Sequence, residues 1–339
     1  MVFASSGALS GKSVLYSGEH RWSTSSESKQ ISHVETPDIA AFNSAISCVS
    51  TTTAGAIPRV LACASNYQSR NVFLGTLPID DSWAAGSPGV YLSVGVPMSS
   101  ISDSAMHPVT GSAAVIGSCG MYIIDCHANV SNSRRKNPGV NDWPRCEPCI
   151  NWLNASTVLY AAKPHFGHSV MLWDVRTPDG RTPRFNVRER LTGVFNSTKH
   201  GQNGLGDEHQ ILTSTNHRID LFDTRMPGGS KMQDTPVMSF SHTHGGPRLQ
   251  RAAYGNLVAA VDADNIVQVY SIRTGEKVGS LQAMEWQPKR LESPVLHQLM
   301  WYEDHWAGPT LQAVRGNGVI RWTWGGPGVE EDNSSDDDS

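Results

Sequence analysis

The sequence predicts an all-β fold, a ring of small stacked sheets, and three observations predict it. First, a strand-ending signature recurs about every 49 residues: Met171-Leu172-Trp173-Asp174-Val175-Arg176, Asp220-Leu221-Phe222-Asp223-Thr224-Arg225 and Gln268-Val269-Tyr270-Ser271-Ile272-Arg273. Each copy orders an aliphatic residue, an aromatic, a small polar residue and an arginine, and each runs into a turn rich in Pro or Gly. Second, the runs between these points are short, rich in β-branched and aromatic residues, and bounded by Gly, Pro, Asn and Asp. Third, no window of about 12 residues carries a 3.6-residue apolar period, so helices are not expected. A fixed period of this length means one supersecondary unit repeated. Three to four strands per period suit a propeller blade, whose faces are buried against neighbouring blades.

The copies follow in order. Ser13-Val14-Leu15-Tyr16 and His20-Arg21-Trp22 mark a weak first copy, whose signature falls near Ser25 and whose first strand is expected to precede Met1. Asn71 to Gly75 is the second, and Met121 to Asp125 the third. The fourth holds Cys149 to Leu153, an Asn-Ala-Ser turn, Thr157 to Ala162 and Ser169 to Asp174. The fifth ends at Asp223, the sixth runs Leu257 to Val261 and Ile266 to Tyr270, and Val319 to Trp324 closes the seventh. Seven blades are expected, or six if the strand around Val14-Leu15-Tyr16 only completes the last blade and so covers its edge.

The ends differ from the middle. Residues 1–36 are serine-rich, with ten serines before Glu35, and are expected to be partly disordered, a closing strand or an incomplete first blade. Residues 37–327 carry the propeller. Residues 328–339 form an acidic tail that lacks the apolar residues needed to fold. Its Ser334 and Ser335 precede acids at a spacing acidophilic kinases prefer, although a solvated tail is the simpler reading. The formal charge is −4; without the six acids of the last ten residues, 27 bases stand against 25 acids. A near-neutral body disfavours a nucleic-acid footprint, which needs a clustered basic face. No apolar run approaches the length of a membrane-spanning helix, and no signal peptide is visible. An intracellular protein, nuclear, cytoplasmic or both, is expected.

The chain resembles WD40-repeat β-propellers over roughly residues 40–326, with an unmodified Trp173-Asp174 pair in the fourth copy. The resemblance implies that this pair ends the third strand of its blade. It also implies a turn Asp about six residues upstream of the aromatic. Gly167, Asn216 and Asp264 stand there, so only the sixth copy keeps it. The signature residues are Trp173, Asp174, Phe222, Asp223 and Tyr270. Trp173-Asp174-Val175-Arg176 and Phe222-Asp223-Thr224-Arg225 also resemble the end of a DWD box, the repeat found in substrate receptors of cullin-4 ubiquitin ligases. By that resemblance Arg176 and Arg225 contact the ligase's adaptor propeller, and Arg273 is a third candidate whose Asp is replaced by Ser271. A planar, permanently charged guanidinium on a rim is a good interface anchor. The competing reading is that each arginine merely pairs with a nearby carboxylate.

Other motifs carry less chemistry. Cys146-Glu147-Pro148-Cys149 has zinc-knuckle spacing, but Cys119, Cys126 and His127 are poorly placed to complete four ligands. The six cysteines read as packed thiols. His242 and His244 share a strand face without a carboxylate and read as structural or exposed. Gly117-Ser118-Cys119-Gly120 is no nucleophile elbow, and Gly201 to Gly206 is no phosphate loop. Ser131 to Lys136 reads as a solvated basic loop between blades. Trp152, Trp173, Trp286, Trp301, Trp306, Trp322 and Trp324 read as blade core. The expected function is a non-enzymatic protein-interaction scaffold without metal or cofactor, most concretely a cullin-4 substrate receptor. The alternatives are a scaffold subunit of another nuclear or ribosome-assembly complex, and a propeller-fold hydrolase.

Overall fold

The computed structural model describes residues 2–6, 13–17, 38–42, 46–52, 59–66, 71–78, 92–96, 101–107, 109–117, 120–124, 134–136, 149–162, 168–177, 181–187, 189–196, 209–226, 235–243, 251–281, 296–304, 308–315 and 318–323. Among them there is no helix. Within the described residues, twenty-six strands form seven antiparallel sheets, each built from consecutive strands in chain order.

The first sheet holds β1 (Val2–Ser6), β2 (Ser13–Ser17) and β3 (Asp38–Phe42). The second holds β4 (Ile46–Thr52), β5 (Arg59–Asn66), β6 (Asn71–Pro78) and β7 (Leu92–Val96). The third holds β8 (Ile101–Met106), β9 (Ala113–Gly117), β10 (Gly120–Ile124) and β11 (Arg134–Lys136). The fourth holds β12 (Ile150–Trp152), β13 (Thr157–Ala162), β14 (His168–Asp174) and β15 (Arg181–Val187). The fifth holds β16 (Gly193–Phe195), β17 (Gln210–Ser214), β18 (Arg218–Asp223) and β19 (Met238–Ser241). The sixth holds β20 (Arg251–Tyr254), β21 (Leu257–Val261), β22 (Val267–Ser271) and β23 (Lys277–Leu281). The seventh holds β24 (Leu296–Asp304), β25 (Gly308–Arg315) and β26 (Gly318–Thr323).

Two expectations about the first copy are corrected. Its first strand does not precede Met1, because Val2–Ser6 fills that place. Val14-Leu15-Tyr16 does not complete the last sheet; it lies in β2, between β1 and β3. The third strand of this sheet is β3, not a segment near Ser25. The beat fails here because the β2–β3 connection is longer than its counterparts.

The core lies between sheets. Strand residues point alternately to the two faces, and in β9 both faces are buried. Val115 faces Leu61, Cys63 and the second sheet. Its neighbours Ala114 and Ile116 face Ile150, Trp152 and the fourth. Leu159 of the fourth sheet packs with Ile211 and Phe222 of the fifth. Leu212 and Phe240 then pack with Val258 and Tyr270 of the sixth, whose Ala259 and Val269 meet Leu299 and Leu311 of the seventh. Sheets covered on both faces need continuous apolar runs, which is why Ala113–Ile116 and Leu257–Val261 show no polar alternation.

First strands of successive sheets also meet, β4 with β8, β8 with β12 and β12 with β16. Polar side chains tie them together. Ser50 and Ser104 share a 2.8 Å hydroxyl contact. Asp103 accepts the Ile150 N–H at 3.0 Å, and the Asn151 amide donates to Asn196 Oδ1 at 3.1 Å. Gly275 supplies a left-handed turn, φ 76°, after β22, where a side chain would press on Met238 of the neighbouring sheet.

Candidate functional site

The recurring signature ends the third strand of its sheet. Trp173-Asp174 ends β14, Phe222-Asp223 ends β18 and Tyr270-Ser271 ends β22. The aromatic is buried each time and packs between sheets. The next residue turns back in the same way in all three. Val175 N–H donates to Ser156 C=O at 2.9 Å, Thr224 N–H to His209 C=O at 2.7 Å, and Ile272 N–H to Asn256 C=O at 2.7 Å. These acceptors precede the second strand of each sheet. The turn after strand three is therefore fixed on one rim, beside the loop joining strands one and two.

That turn aims the arginines. Arg176 forks onto Asp174, with Nε donating to Oδ1 at 2.9 Å and Nη2 to Oδ2 at 2.6 Å. The Arg176 backbone N–H also donates to Oδ1 at 3.0 Å. Arg225 repeats this on Asp223, at 2.9 Å and 2.5 Å, with its backbone N–H at 2.8 Å. The Arg176 and Arg225 side chains are nonetheless 71% and 67% exposed. A bidentate fork fixes the guanidinium plane through its Nε–Nη2 edge. Pairing with the neighbouring carboxylate and presentation to solvent therefore coexist. Arg273 differs: Ser271 offers no carboxylate, its hydroxyl accepts the Thr274 N–H at 3.2 Å, and exposed Arg273 makes no ion pair among the described residues. Met226, which follows Arg225 in the chain, is 58% exposed.

The guanidiniums hold both carboxylates low. Hydrogen bonds from the Arg176 side chain, then from its backbone N–H, bring Asp174 from 3.8 to about 2. Arg225 does the same for Asp223, again to about 2. A depressed folded value means that the pair's contribution to stability is present above pH 3.8 and fades as pH falls toward about 2. Solvent screening keeps that contribution small. A carbon-detected NMR titration should give Asp174 a midpoint of about 2, rising toward 3.8 but staying below it in Arg176→Ala, whose backbone N–H still donates to Oδ1. An ordinary midpoint in the unmodified protein would contradict the fork.

Several other expectations meet the structure differently. The turn carboxylate of the sixth sheet is Asp262, not Asp264. Asp262 Oδ1 accepts the N–H groups of Asp264 and Ile266 at 2.9 Å, and Oδ2 accepts the Gln268 amide at 2.5 Å. Asp264 is exposed. In the fifth sheet Thr215 takes this place, accepting from His217 and Arg218 N–H at 3.3 Å. Gly167 lies outside the described residues, and Trp173 Nε1 has no partner among them. Arg134–Lys136 is not a loop but the edge strand β11, paired with β10.

His242 is buried, with its ring nitrogens 3.2 Å from Tyr270 Oη and 3.0 Å from Val261 O; His244 lies outside the described residues. Cys149 is a buried core thiol, while Cys119, Cys126, Cys146 and His127 lie outside the described residues. So do residues 201–206, Ser118, Ser131 to Ser133, Trp286, Trp306 and Trp324. Among the described residues, no three metal-ligating side chains converge. One polar group went unread: Asp220, fully buried in β18, accepts from Arg218 Nε at 2.8 Å and from Ser239 Oγ at 2.6 Å. Its signal was present, since Arg218 and Asp220, two apart on a strand, share a face.

The Cps50 (Swd1) beta-propeller domain of Myceliophteria thermophila has the same architecture. The likeness covers 94% of this chain and 92% of that one, with a TM-score of 0.57 and 16% identity. The fold is a β-propeller. The described sheets are its blades, and the rim described above is formed where third strands end. No family model matches the chain, and no curated protein matches it.

Proposed function

We propose that this propeller is a non-enzymatic protein-interaction scaffold, most concretely a substrate receptor of a cullin-4 ubiquitin ligase. One observation carries the reading: Arg176 and Arg225 stand on consecutive blades in the same forked geometry, exposed and preoriented. A guanidinium fixed before binding loses less rotamer freedom on docking, so two of them make economical anchors. Each fork is internally neutralised while its side chain stays exposed, which suits a partner that offers carbonyl or hydroxyl acceptors as well as carboxylates. Arg273 would contribute as the uncompensated charge. The arginine rim docks the adaptor propeller, and another face of the ring holds the substrate. This reading places the protein inside the cell, in the nucleus or cytoplasm.

Capture of the adaptor from lysate by tagged chain tests it. Arg176→Ala/Arg225→Ala should reduce recovery about tenfold or more while the far-ultraviolet spectrum is unchanged. Equal recovery by both proteins, or recovery by neither, removes the ligase reading.

A further inference from the structure

Cys48 and Cys63 stand directly opposite each other on the antiparallel strands β4 and β5 of the second blade. Opposed residues of such a pair have Cα atoms about 4.5–5.5 Å apart. A disulfide accepts Cα separations of about 4.4–6.8 Å. The β4 register shifts between Ile46 and Cys48, an irregularity that bends a strand and re-aims its side chains. Cys48 packs against the cluster that holds Cys63, and neither cysteine is in a disulfide. Cys63 is fully buried against Leu61, Val115 and Tyr122, whereas Cys48 is only partly buried.

The geometry points to Cys48 and Cys63 as an oxidisable pair that closes to a cross-strand disulfide on meeting a low-molecular-weight disulfide. Cys48, the accessible member, loses its proton and attacks one sulfur of the small disulfide. A mixed disulfide forms and one small thiolate leaves. Cys63 then gives up its proton and attacks the Cys48 sulfur, releasing the second small thiol. Two protein thiols are oxidised and one small disulfide is reduced to two thiols. Burial, then the adjoining Cys48 thiol, pushes the Cys63 thiol well above its ordinary value. This fixes the order, with the outer thiol first and the buried one resolving. The bond staples the first strand of the blade to the second, next to the Ser50–Ser104 contact that joins this blade to the third. The inference stands independently of the partner reading.

The test uses the full chain, incubated with oxidised glutathione or with dithiothreitol, then alkylated and cut with trypsin. Residues 30–59 carry Cys48 and residues 60–70 carry Cys63, so cleavage after Arg59 separates the two. The oxidised sample should yield these peptides joined, at a mass about 2 Da below their sum, and dithiothreitol should part them. Cys48→Ser should abolish the joined species. Recovery of both peptides only alkylated or glutathionylated, from protein shown to be folded by circular dichroism, would overturn the inference. So would Cys48 joined to any other cysteine.

Discussion

Trp152→Ala is expected to destabilise the protein by about 3–5 kcal/mol, the range for removing a large buried aromatic. Trp152 is 3% exposed and sits in the first strand of the fourth blade, where three blades meet. Its Nε1 donates to Ala105 O of the third blade at 3.1 Å, and its ring meets His107 edge-on at 4.8 Å between centroids. Its own carbonyl accepts the Asn196 amide of the fifth blade at 3.0 Å. Truncation opens a void among Ile116, Ile150 and Val158, and orphans the Ala105 carbonyl. Trp152→Phe keeps most of the burial and loses the N–H, at about 1–3 kcal/mol. Urea unfolding measures both. A cost below about 1 kcal/mol for the alanine variant would show that this position does not join the blades.

The second large effect is an asymmetry. Arg218→Ala should cost about 3–5 kcal/mol, more than Asp220→Ala at about 1–3 kcal/mol. Asp220 has no exposed surface, and Thr213, directly across in β17, is buried as well. Without Arg218 the carboxylate keeps only the Ser239 hydroxyl, and a buried, uncompensated charge is expensive. Without Asp220 the arginine, 30% exposed and 3.7 Å from Glu189, still reaches water and a second carboxylate. Urea unfolding of the two variants gives the order. The reverse order would mean that Arg218, not Asp220, is the group the fold cannot leave alone.

The fold was legible because the third strand of each blade obeys two constraints at once. Its aromatic must fill the space between sheets, and its exit turn must be tight. Trp173, Phe222 and Tyr270 therefore recur at a nearly fixed interval, and the interval reveals the ring. The arginine positions were legible for the same reason, though the forks onto Asp174 and Asp223 needed coordinates. What escaped depended on registers that one sequence does not display. Asp262 and Asp264 are both turn acids, and only the turn's hydrogen bonds show which one caps it. Arg134–Lys136 is an edge strand, paired on one side only, and its sequence lacks the apolar run that betrays inner strands. Cys48 and Cys63 become a pair only through the β4–β5 register. The first blade broke the beat because its third strand follows a long connection.

Two forked arginines on adjoining blades are the proposed docking surface. The dissociation constant of the purified chain for the purified cullin-4 adaptor propeller, with and without Arg176→Ala/Arg225→Ala, tests it most directly. Measurable binding that weakens at least about tenfold in the double variant is the predicted result. An unchanged constant, or no binding by the unmodified chain, would contradict it.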